Sequence, residues 1–505
     1  MNHELRERSS HGWAGALRGG VAVSAGFVLM RFLLTPIRMQ VLTRVLSPAD
    51  YGLVTLLSMS AHAMAMVLSA GGFELLLRRL PYADPQEQDS VFRSVLMVST
   101  LLGLVASGLV VLGAVPSLGS SSGPVGVSRA AAAALFLLFL HTQQRLYYLL
   151  GCRRYLAART TQLLWSDAWF LAVVPWGLAT TLTAEVAVWA WCAWLLLVTV
   201  LTWRWVPLGR VWSASGDGVP LGRMLAIGLP MLPVVLSEWT FRLVGQYVLL
   251  ARTDAATMAL YALAFNIAGI GYVVGVPLID HMSTEFNALQ GEAGAGPSDP
   301  QVRDSLRRIV SRAVRFILAV TVPVGLAFVF LAEPIVRLLA GPAFARAAEL
   351  LPWTALVPFL LLTNLLLARL LLANGRSPAV GAGSVAGAGV ALGLCLLWVD
   401  SHGPRGALLA ITSGLAVTTL LMACRAPVFQ WFDPQELQWG RLASGGILLA
   451  AAFAALGRPD ALPLARLAGA GGVAVAVVFG CGWLRRSDFP AENLPRHEAP
   501  LGGGQ

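Results

Sequence analysis

Long apolar stretches separated by short polar ones occupy most of the chain. A helix needs about 20 mostly apolar residues to cross a bilayer, and the pattern predicts fourteen spans of this kind. They cover residues 19–42, 51–75, 92–116, 130–151, 162–182, 184–204, 223–249, 257–282, 312–332, 348–373, 379–399, 406–424, 441–457 and 466–484. The longest polar stretch, around 283–308, is too short for a folded extramembrane domain. The pattern predicts an all-α polytopic membrane protein with about 14 transmembrane helices.

The composition agrees with this class. Of the 505 residues, 57% are hydrophobic and 12% are charged, whereas soluble domains carry about twice that charged fraction. The five cysteines form no CxxC pair and have no histidine nearby at metal-ligand spacing. The composition excludes a disordered chain and a disulfide-rich secreted domain, and we expect neither a metal nor a cofactor.

The net charge of +10 comes from 36 arginines, since the chain has no lysine. These arginines lie between apolar segments, so we expect them to face anionic lipid rather than nucleic acid. With the N-terminus inside, 25 arginines lie on the cytoplasmic side, 8 on the other side and 3 within helices. This asymmetry predicts that both termini are cytoplasmic. The arginine bias, with abundant alanine and glycine, indicates a bacterial protein and therefore the cytoplasmic membrane.

Two stretches of the chain repeat one arrangement. Arg31 precedes the pair Tyr51-Gly52 by 20 residues, and Arg242 precedes the pair Tyr261-Ala262 by 19. Both arginines lie in helices that enter from the predicted cytoplasmic side, so the repeat is parallel. Chance similarity between apolar segments is the alternative. We predict a six-helix lobe at 1–210, a second at 211–430, and two further helices with a cytoplasmic tail at 431–505.

One motif resembles a known family. Gly19-Gly20, the run Arg44-Val-Leu-Ser-Pro-Ala-Asp-Tyr51-Gly52 and the later Gly71-Gly72-Phe73 resemble the opening of bacterial oligosaccharide flippases. These are polysaccharide biosynthesis transporters of the multidrug/oligosaccharidyl-lipid/polysaccharide exporter superfamily. The stretch Arg252–Tyr261 resembles the junction of the seventh and eighth helices in the same family.

The resemblance implies a fold of two six-helix lobes plus two extra helices. It also implies a function, namely flipping of a polyprenyl-diphosphate-linked oligosaccharide to the outer leaflet by alternating access. The product would enter O-antigen, capsule or exopolysaccharide, with a polymerase and glycosyltransferases as possible partners. The chain departs from the family in having no lysine, so arginine must supply every cationic group in a cavity.

Three arginines within predicted spans are candidate substrate ligands. Arg31 and Arg38 are two turns apart on one helix face, about 10.5 Å, with Pro36 between them. Guanidinium groups bind phosphate oxygens in a bidentate manner, so this pair could hold a diphosphate, with Arg242 approaching from the other lobe. The alternatives are that Arg38 snorkels to the interface and that Glu238, four residues before Arg242, neutralises it.

Carboxylates within the spans are candidates for ion coupling. A carboxylate in a low-dielectric cavity can carry a proton or bind sodium, and we single out Asp167, Glu238 and Asp280, with Glu74 as a further candidate. The alternative is pairing with arginine or a position at a helix end. His62 and His141 also lie in spans, and we interpret them as hydrogen-bonded packing residues.

The sequence shows no catalytic constellation, and the predicted outer loops are short, so we do not expect an enzyme. Two other transport functions remain open. An ion-coupled multidrug exporter would need an acidic cavity, whereas the first helix offers two arginines and no carboxylate. A peptidoglycan-precursor flippase would use the same diphosphate chemistry.

Overall fold

The structure is a computed structural model, and it describes residues 26–27, 29–69, 71–112, 127–179, 182–206, 208–213, 219–228, 232–292, 300–426, 439–456, 463–481 and 483. Throughout these ranges the backbone forms helices joined by turns, without a β-strand. Both termini and the glycine pair at 19–20 lie outside the described residues. Within the described residues, each of the fourteen predicted spans overlaps a helix or a pair of helices, which confirms the all-α membrane fold.

The described residues form helix α1 over 26–45, apart from residue 28, and then seventeen further α-helices. The first eight helices continue with α2 (Pro48–Leu68), α3 (Gly72–Arg79), α4 (Pro85–Val111), α5 (Arg129–Gly151), α6 (Tyr155–Ser166), α7 (Phe170–Ala179) and α8 (Ala184–Leu201). Next come α9 (Leu208–Ser213), α10 (Leu221–Gly228), α11 (Leu232–Arg252), α12 (Ala255–Glu292), α13 (Pro300–Phe330) and α14 (Ala332–Leu339). The last are α15 (Val357–Ala373), α16 (Ser377–Arg425), α17 (Trp439–Leu456) and α18 (Pro463–Gly480).

Seven helices in the described part of the chain are individually long and apolar enough to cross a membrane. One of them, α16, holds two of the predicted spans, because Gly403 (φ 55°, ψ −135°) breaks the helix and reverses its direction. Glycine tolerates this backbone conformation since it has no Cβ. The two arms pack closely, and a Cβ on Gly387 would meet Gly414 O at 2.5 Å. Small residues allow this approach, as the glycine-rich sequence indicates.

Two predicted spans are interrupted in the structure. The predicted span 51–75 ends as α2 at Leu68, and Gly71 (φ 83°) precedes the separate helix α3. The predicted span 162–182 is wrong in both extent and continuity, because helix α6 begins at Tyr155 and a turn at 167–169 separates it from α7. The predicted span 223–249 corresponds to α10 and α11, with 229–231 outside the described residues. Hydropathy alone does not reveal the two breaks, since each lies within a stretch that is apolar on average.

The helices pack in two bundles. In the first bundle, α5 contacts α2, α4, α6 and α8. In the second, α12 contacts α11, α13 and α15, and α16 packs against α11 and α15. The bundles meet where α2 contacts α11 and α12, whereas α17 and α18 lie against α13 and α14. Near the predicted boundary at residue 210, α9 packs on α4 and α10 packs on α3 of the first bundle, with Met224 fully buried.

The motif Arg44–Gly52 forms the turn between α1 and α2. Ser47 caps α2, and its side chain accepts a hydrogen bond from Asp50 N. Asp50 Oδ1 accepts a hydrogen bond from Ala184 N at 2.8 Å, and thereby ties this turn to the start of α8. A Cβ on Gly52 would lie 2.7 Å from Ala255 O of the second bundle. The motif is therefore structural: it joins two turns and lets α2 approach α12.

Candidate functional site

The two bundles contact each other near the turns α1–α2 and α11–α12, which we call the junction end. Gly341 N donates to Thr43 Oγ1 at 3.0 Å, and the rings of Tyr51 and Phe344 meet edge to face at 5.2 Å. Further along α2, Ser60 Oγ lies 2.8 Å from the hydroxyl of Tyr247 on α11. These contacts close the space between the bundles at the junction end.

Next along α2, His62 lies at the interface between the bundles. Its ring stacks on Trp239 of α11 with centroids 5.5 Å apart, and it contacts Phe139 and Trp165 of the first bundle. Arg31, Arg38 and Arg242 all lie close enough to His62 to act electrostatically on it. The structure thus brings the three predicted arginines to one region. His62 is a packing residue, as expected, but it packs across the interface.

Arg31 and Arg38 share one carboxylate. Asp167, at the break between α6 and α7, lies 2.9 Å from Arg31 Nε and 3.3 Å from Arg38 Nη1. Arg38 also donates to the carbonyl of Ser166. The carboxylate is fully buried, whereas the arginine side chains are 24% and 23% exposed. Arg38 therefore binds within the protein rather than snorkelling to the interface.

Arg242 pairs with Glu238, as the four-residue spacing predicts, at 3.2 Å between Nη2 and Oε1. Its guanidinium also lies over the rings of Trp239 and Tyr272, 5.6 and 5.7 Å from their centroids. Such cation–π contacts hold a guanidinium in place without using its donors. Glu238 remains 55% exposed.

Two further arginines of this region were not expected from the sequence. Arg159 on α6 and Arg369 on α15 lie close enough to Tyr147 to act on it, as do Glu74 and Glu238. Arg159 lies between two predicted spans, and Arg369 lies near the end of the predicted span 348–373. Arg159 belongs to the site because α6 begins seven residues before the predicted span, and no local sequence signal places either residue beside α5.

We define the central site as these charged groups around His62 and Tyr147. Among the described side chains it contains five arginines and three carboxylates (Arg31, Arg38, Arg159, Arg242, Arg369, Glu74, Asp167 and Glu238). The site therefore carries two more formal positive charges than negative ones. Within the described part of the protein, the buried Nε of Arg242 makes no hydrogen bond, and that of Arg31 lies 2.9 Å from Asp167 Oδ2 without the alignment of a hydrogen bond. Each bundle thus contributes a guanidinium whose Nε–H can still donate.

The remaining predicted site residue is Asp280, which belongs to α12, but its side chain lies outside the described part of the structure. Within the described residues, no group of three or more His, Cys, Asp or Glu side chains could hold a metal ion.

Comparison with known proteins identifies the family. Residues 41–349, more than half of the chain, match the family model of polysaccharide biosynthesis proteins. No curated protein matches the sequence.

Solved structures share the fold at low sequence identity. The lipid II flippase MurJ in an inward closed conformation has a TM-score of 0.62 at 12% identity, covering 90% of this chain and 97% of that one. An inward-facing multidrug resistance MATE family transporter of the MOP superfamily has a TM-score of 0.61 at 17% identity, covering 81% and 98%. A MOP superfamily transporter from Pyrococcus furiosus has a TM-score of 0.55 at 17% identity, covering 82% of this chain and 94% of that one. The reversed polarity of that protein's binding pocket suggests a different function for it.

At these identities the structural likeness concerns the fold, whereas the extent of the family match establishes membership. The chain belongs to the polysaccharide biosynthesis protein family and has the fold of the MOP-superfamily transporters.

Proposed function

We propose that the protein flips a polyprenyl-diphosphate-linked oligosaccharide from the inner to the outer leaflet of the bacterial cytoplasmic membrane. The lipid-linked sugar would be used for O-antigen, capsule or exopolysaccharide assembly. The observation that carries this proposal is that Arg31 and Arg38 share the single carboxylate of Asp167 while Arg242 pairs with Glu238, so these ion pairs keep a positive charge in excess. A diphosphate that links a lipid to a sugar bears two negative charges, one on each phosphate, and would be attracted to that excess.

The geometry suggests how the headgroup is held. Arg31 on the first bundle and Arg242 on the second each keep a buried Nε–H that makes no aligned hydrogen bond with the described residues. Guanidinium forks bind phosphate oxygens bidentately, so a diphosphate between the bundles would satisfy donors from both. The aromatic rings of Trp239 and Tyr272 border Arg242 and offer apolar faces for a sugar ring. Alternating access would then require the contacts at the junction end to open.

The two rival functions differ in what the central site must bind. A cationic drug would meet more arginines than carboxylates, so the charge balance disfavours the ion-coupled multidrug exporter. A peptidoglycan precursor has the same diphosphate, and the fold shared with MurJ keeps this alternative open. Ion coupling through Asp167, Glu238 or Asp280 stays a prediction, as do the cytoplasmic termini and the association with a polymerase and glycosyltransferases.

Deletion of the gene tests the proposal. We expect lipid-linked oligosaccharide to accumulate on the inner leaflet and one surface polysaccharide to disappear, while sensitivity to cationic dyes stays unchanged. Leaflet-specific labelling of the lipid-linked sugar, immunoblotting of surface polysaccharide and growth on dyes measure these outcomes. Hypersensitivity to dyes with normal polysaccharide would support the drug exporter instead, and arrest of peptidoglycan synthesis would support the precursor flippase.

A further inference from the structure

Asp167 makes polar contacts with four side chains of the first bundle. Its Oδ2 lies 2.9 Å from Arg31 Nε and 2.5 Å from the hydroxyl of Ser166. Its Oδ1 lies 3.3 Å from Arg38 Nη1 and 3.5 Å from Thr35 Oγ1. These partners of the two carboxylate oxygens all belong to the first bundle, and the side chain of Asp167 is fully buried.

The two arginines are held to different degrees. Arg38 donates to Asp167 and also to the Ser166 carbonyl at the helix break, so two acceptors fix its guanidinium. Arg31 lies within ion-pair distance of Asp167, yet its Nε makes no aligned hydrogen bond. Its other contact is the ring of Phe27, 5.7 Å from the guanidinium carbon. Replacing Asp167 by another anion therefore breaks fewer hydrogen bonds at Arg31 than at Arg38.

The exchange has an energetic reason. A charge inside the membrane costs several kcal/mol unless it is paired, so the arginines need an anion even when no substrate is bound. A diphosphate offers Arg31 the same chemistry as a carboxylate, with more acceptor oxygens. Two anions that use the same guanidinium compete for it, and the internal one is always present.

We propose that Asp167 is an internal counter-anion that occupies Arg31 and Arg38 in the empty transporter and that the substrate diphosphate displaces from Arg31. This inference rests on the proposed function and adds a positioning role for Asp167. The competition lowers the affinity for the headgroup and returns Arg31 to a paired state when the headgroup leaves. Asp167 thereby favours release of the substrate after it has crossed the membrane.

A binding experiment separates this role from a purely structural one. The full-length protein in lipid nanodiscs is titrated with farnesyl diphosphate, as wild type and as Asp167→Asn, Arg31→Gln and Glu349→Gln. Asp167→Asn keeps the side-chain size and removes the competing charge, while Glu349→Gln makes the same charge change at an arginine–carboxylate pair outside the central site, that of Arg405 and Glu349. We expect Asp167→Asn to bind about tenfold more tightly than wild type, which corresponds to 1.4 kcal/mol. Glu349→Gln should change the affinity by less than about threefold, or 0.7 kcal/mol on the same scale.

Thermal unfolding gives a second measure on the same samples. A ligand that binds only the folded state stabilises it in proportion to the logarithm of its concentration over Kd. Without ligand, Asp167→Asn should melt below wild type, because two arginines lose their partner. Farnesyl diphosphate should raise the Tm of Asp167→Asn more than that of wild type. If Asp167 had a purely structural role, the change Asp167→Asn would lower both the stability of the protein and its affinity for the ligand.

The outcomes distinguish the inference from the proposed function. If Arg31→Gln weakens binding while Asp167→Asn binds no more tightly than wild type, the counter-anion role is wrong and the diphosphate site stands. If Arg31→Gln binds like wild type, the diphosphate site itself is wrong, and the inference falls with it.

Should Asp167→Asn fail to fold, infrared difference spectroscopy of the wild type decides the point. Displacement from Arg31 predicts a shift in a carboxylate band when farnesyl diphosphate binds, and no such shift in Arg31→Gln. Bound farnesyl diphosphate with no change in the carboxylate region would overturn the inference.

Discussion

Each of the three arginines expected to bind substrate contacts a carboxylate in the structure. Arg31 and Arg38 share Asp167, and Arg242 pairs with Glu238. Buried ion pairs gain little net stability because desolvation offsets the attraction, but removal of one partner is costly. These pairs therefore keep the arginines in the membrane interior without consuming all of their donors. Asp167, expected in ion coupling, has the counter-anion role proposed above.

Substitution of Arg31 tests its role in export. Arg31→Ala should preserve expression and lower export by at least about tenfold, since a hydrogen bond to a charged group contributes roughly 1.5–3 kcal/mol. Arg31→Lys should recover only part of the activity, because an ammonium lacks the bidentate fork. Complementation of surface polysaccharide at matched protein levels measures both variants. Normal export by Arg31→Ala would exclude Arg31 from the diphosphate site.

At the scale of elements, helix breaks and close helix contacts shape the site. The break after α6 exposes the Ser166 carbonyl to Arg38 and places Asp167 beside α1. At the junction end, Gly341 packs on α1, where a Cβ would lie 2.6 Å from Thr43 O. Together with Gly52, this glycine lets the two bundles touch backbone to backbone. Under the proposed alternating access, these glycine contacts would be among those that open and reform.

Gly52→Ala should disturb the closed junction end. The added Cβ would meet Ala255 O at 2.7 Å and the side chain of Met258 at the same distance, and overpacking of this kind costs about 1–3 kcal/mol. We expect a lower Tm and reduced export, measured by thermal unfolding and complementation. Gly108→Ala is the matched control, because a Cβ there has nothing within 4 Å. Equal behaviour of the two variants would mean that the α2–α12 contact does not limit transport.

At the scale of the whole molecule, the two bundles touch at one end. With the N-terminus in the cytoplasm, the α1–α2 turn faces the periplasm, so the transporter would be closed on that side. The arginine-rich connections would lie on the opposite, cytoplasmic side, where anionic lipid attracts them. This orientation is the one in which a lipid-linked headgroup would enter from the inner leaflet.

Reporter fusions test the orientation directly. Fusions after Arg78, Arg154 and Arg210 should be active as cytoplasmic reporters, and fusions near Gly119 and Arg405 as periplasmic ones. The reason is the excess of arginine on the even-numbered connections. Paired alkaline phosphatase and green fluorescent protein fusions measure the side at each position. Periplasmic activity at any of the first three positions would contradict the fourteen-span topology.

The sequence by itself determined the helical membrane fold, the approximate positions of the spans, the family and the pairing of Arg242 with Glu238. These features depend on local quantities, namely the length of an apolar run, a motif of adjacent residues and a four-residue spacing on one helix. They can be predicted because their physical cause acts within a few turns of the chain.

Only the tertiary structure decided which charges meet. Asp167 lies 136 positions after Arg31 in the sequence, and its place beside α1 follows from helix packing and from a break that hydropathy does not show. Arg159 and Arg369 join the central site for the same reason, although neither was expected there from the sequence. Electrostatic pairing depends on distance in space, and distances between helices more than a hundred residues apart are set by the packing of the whole bundle.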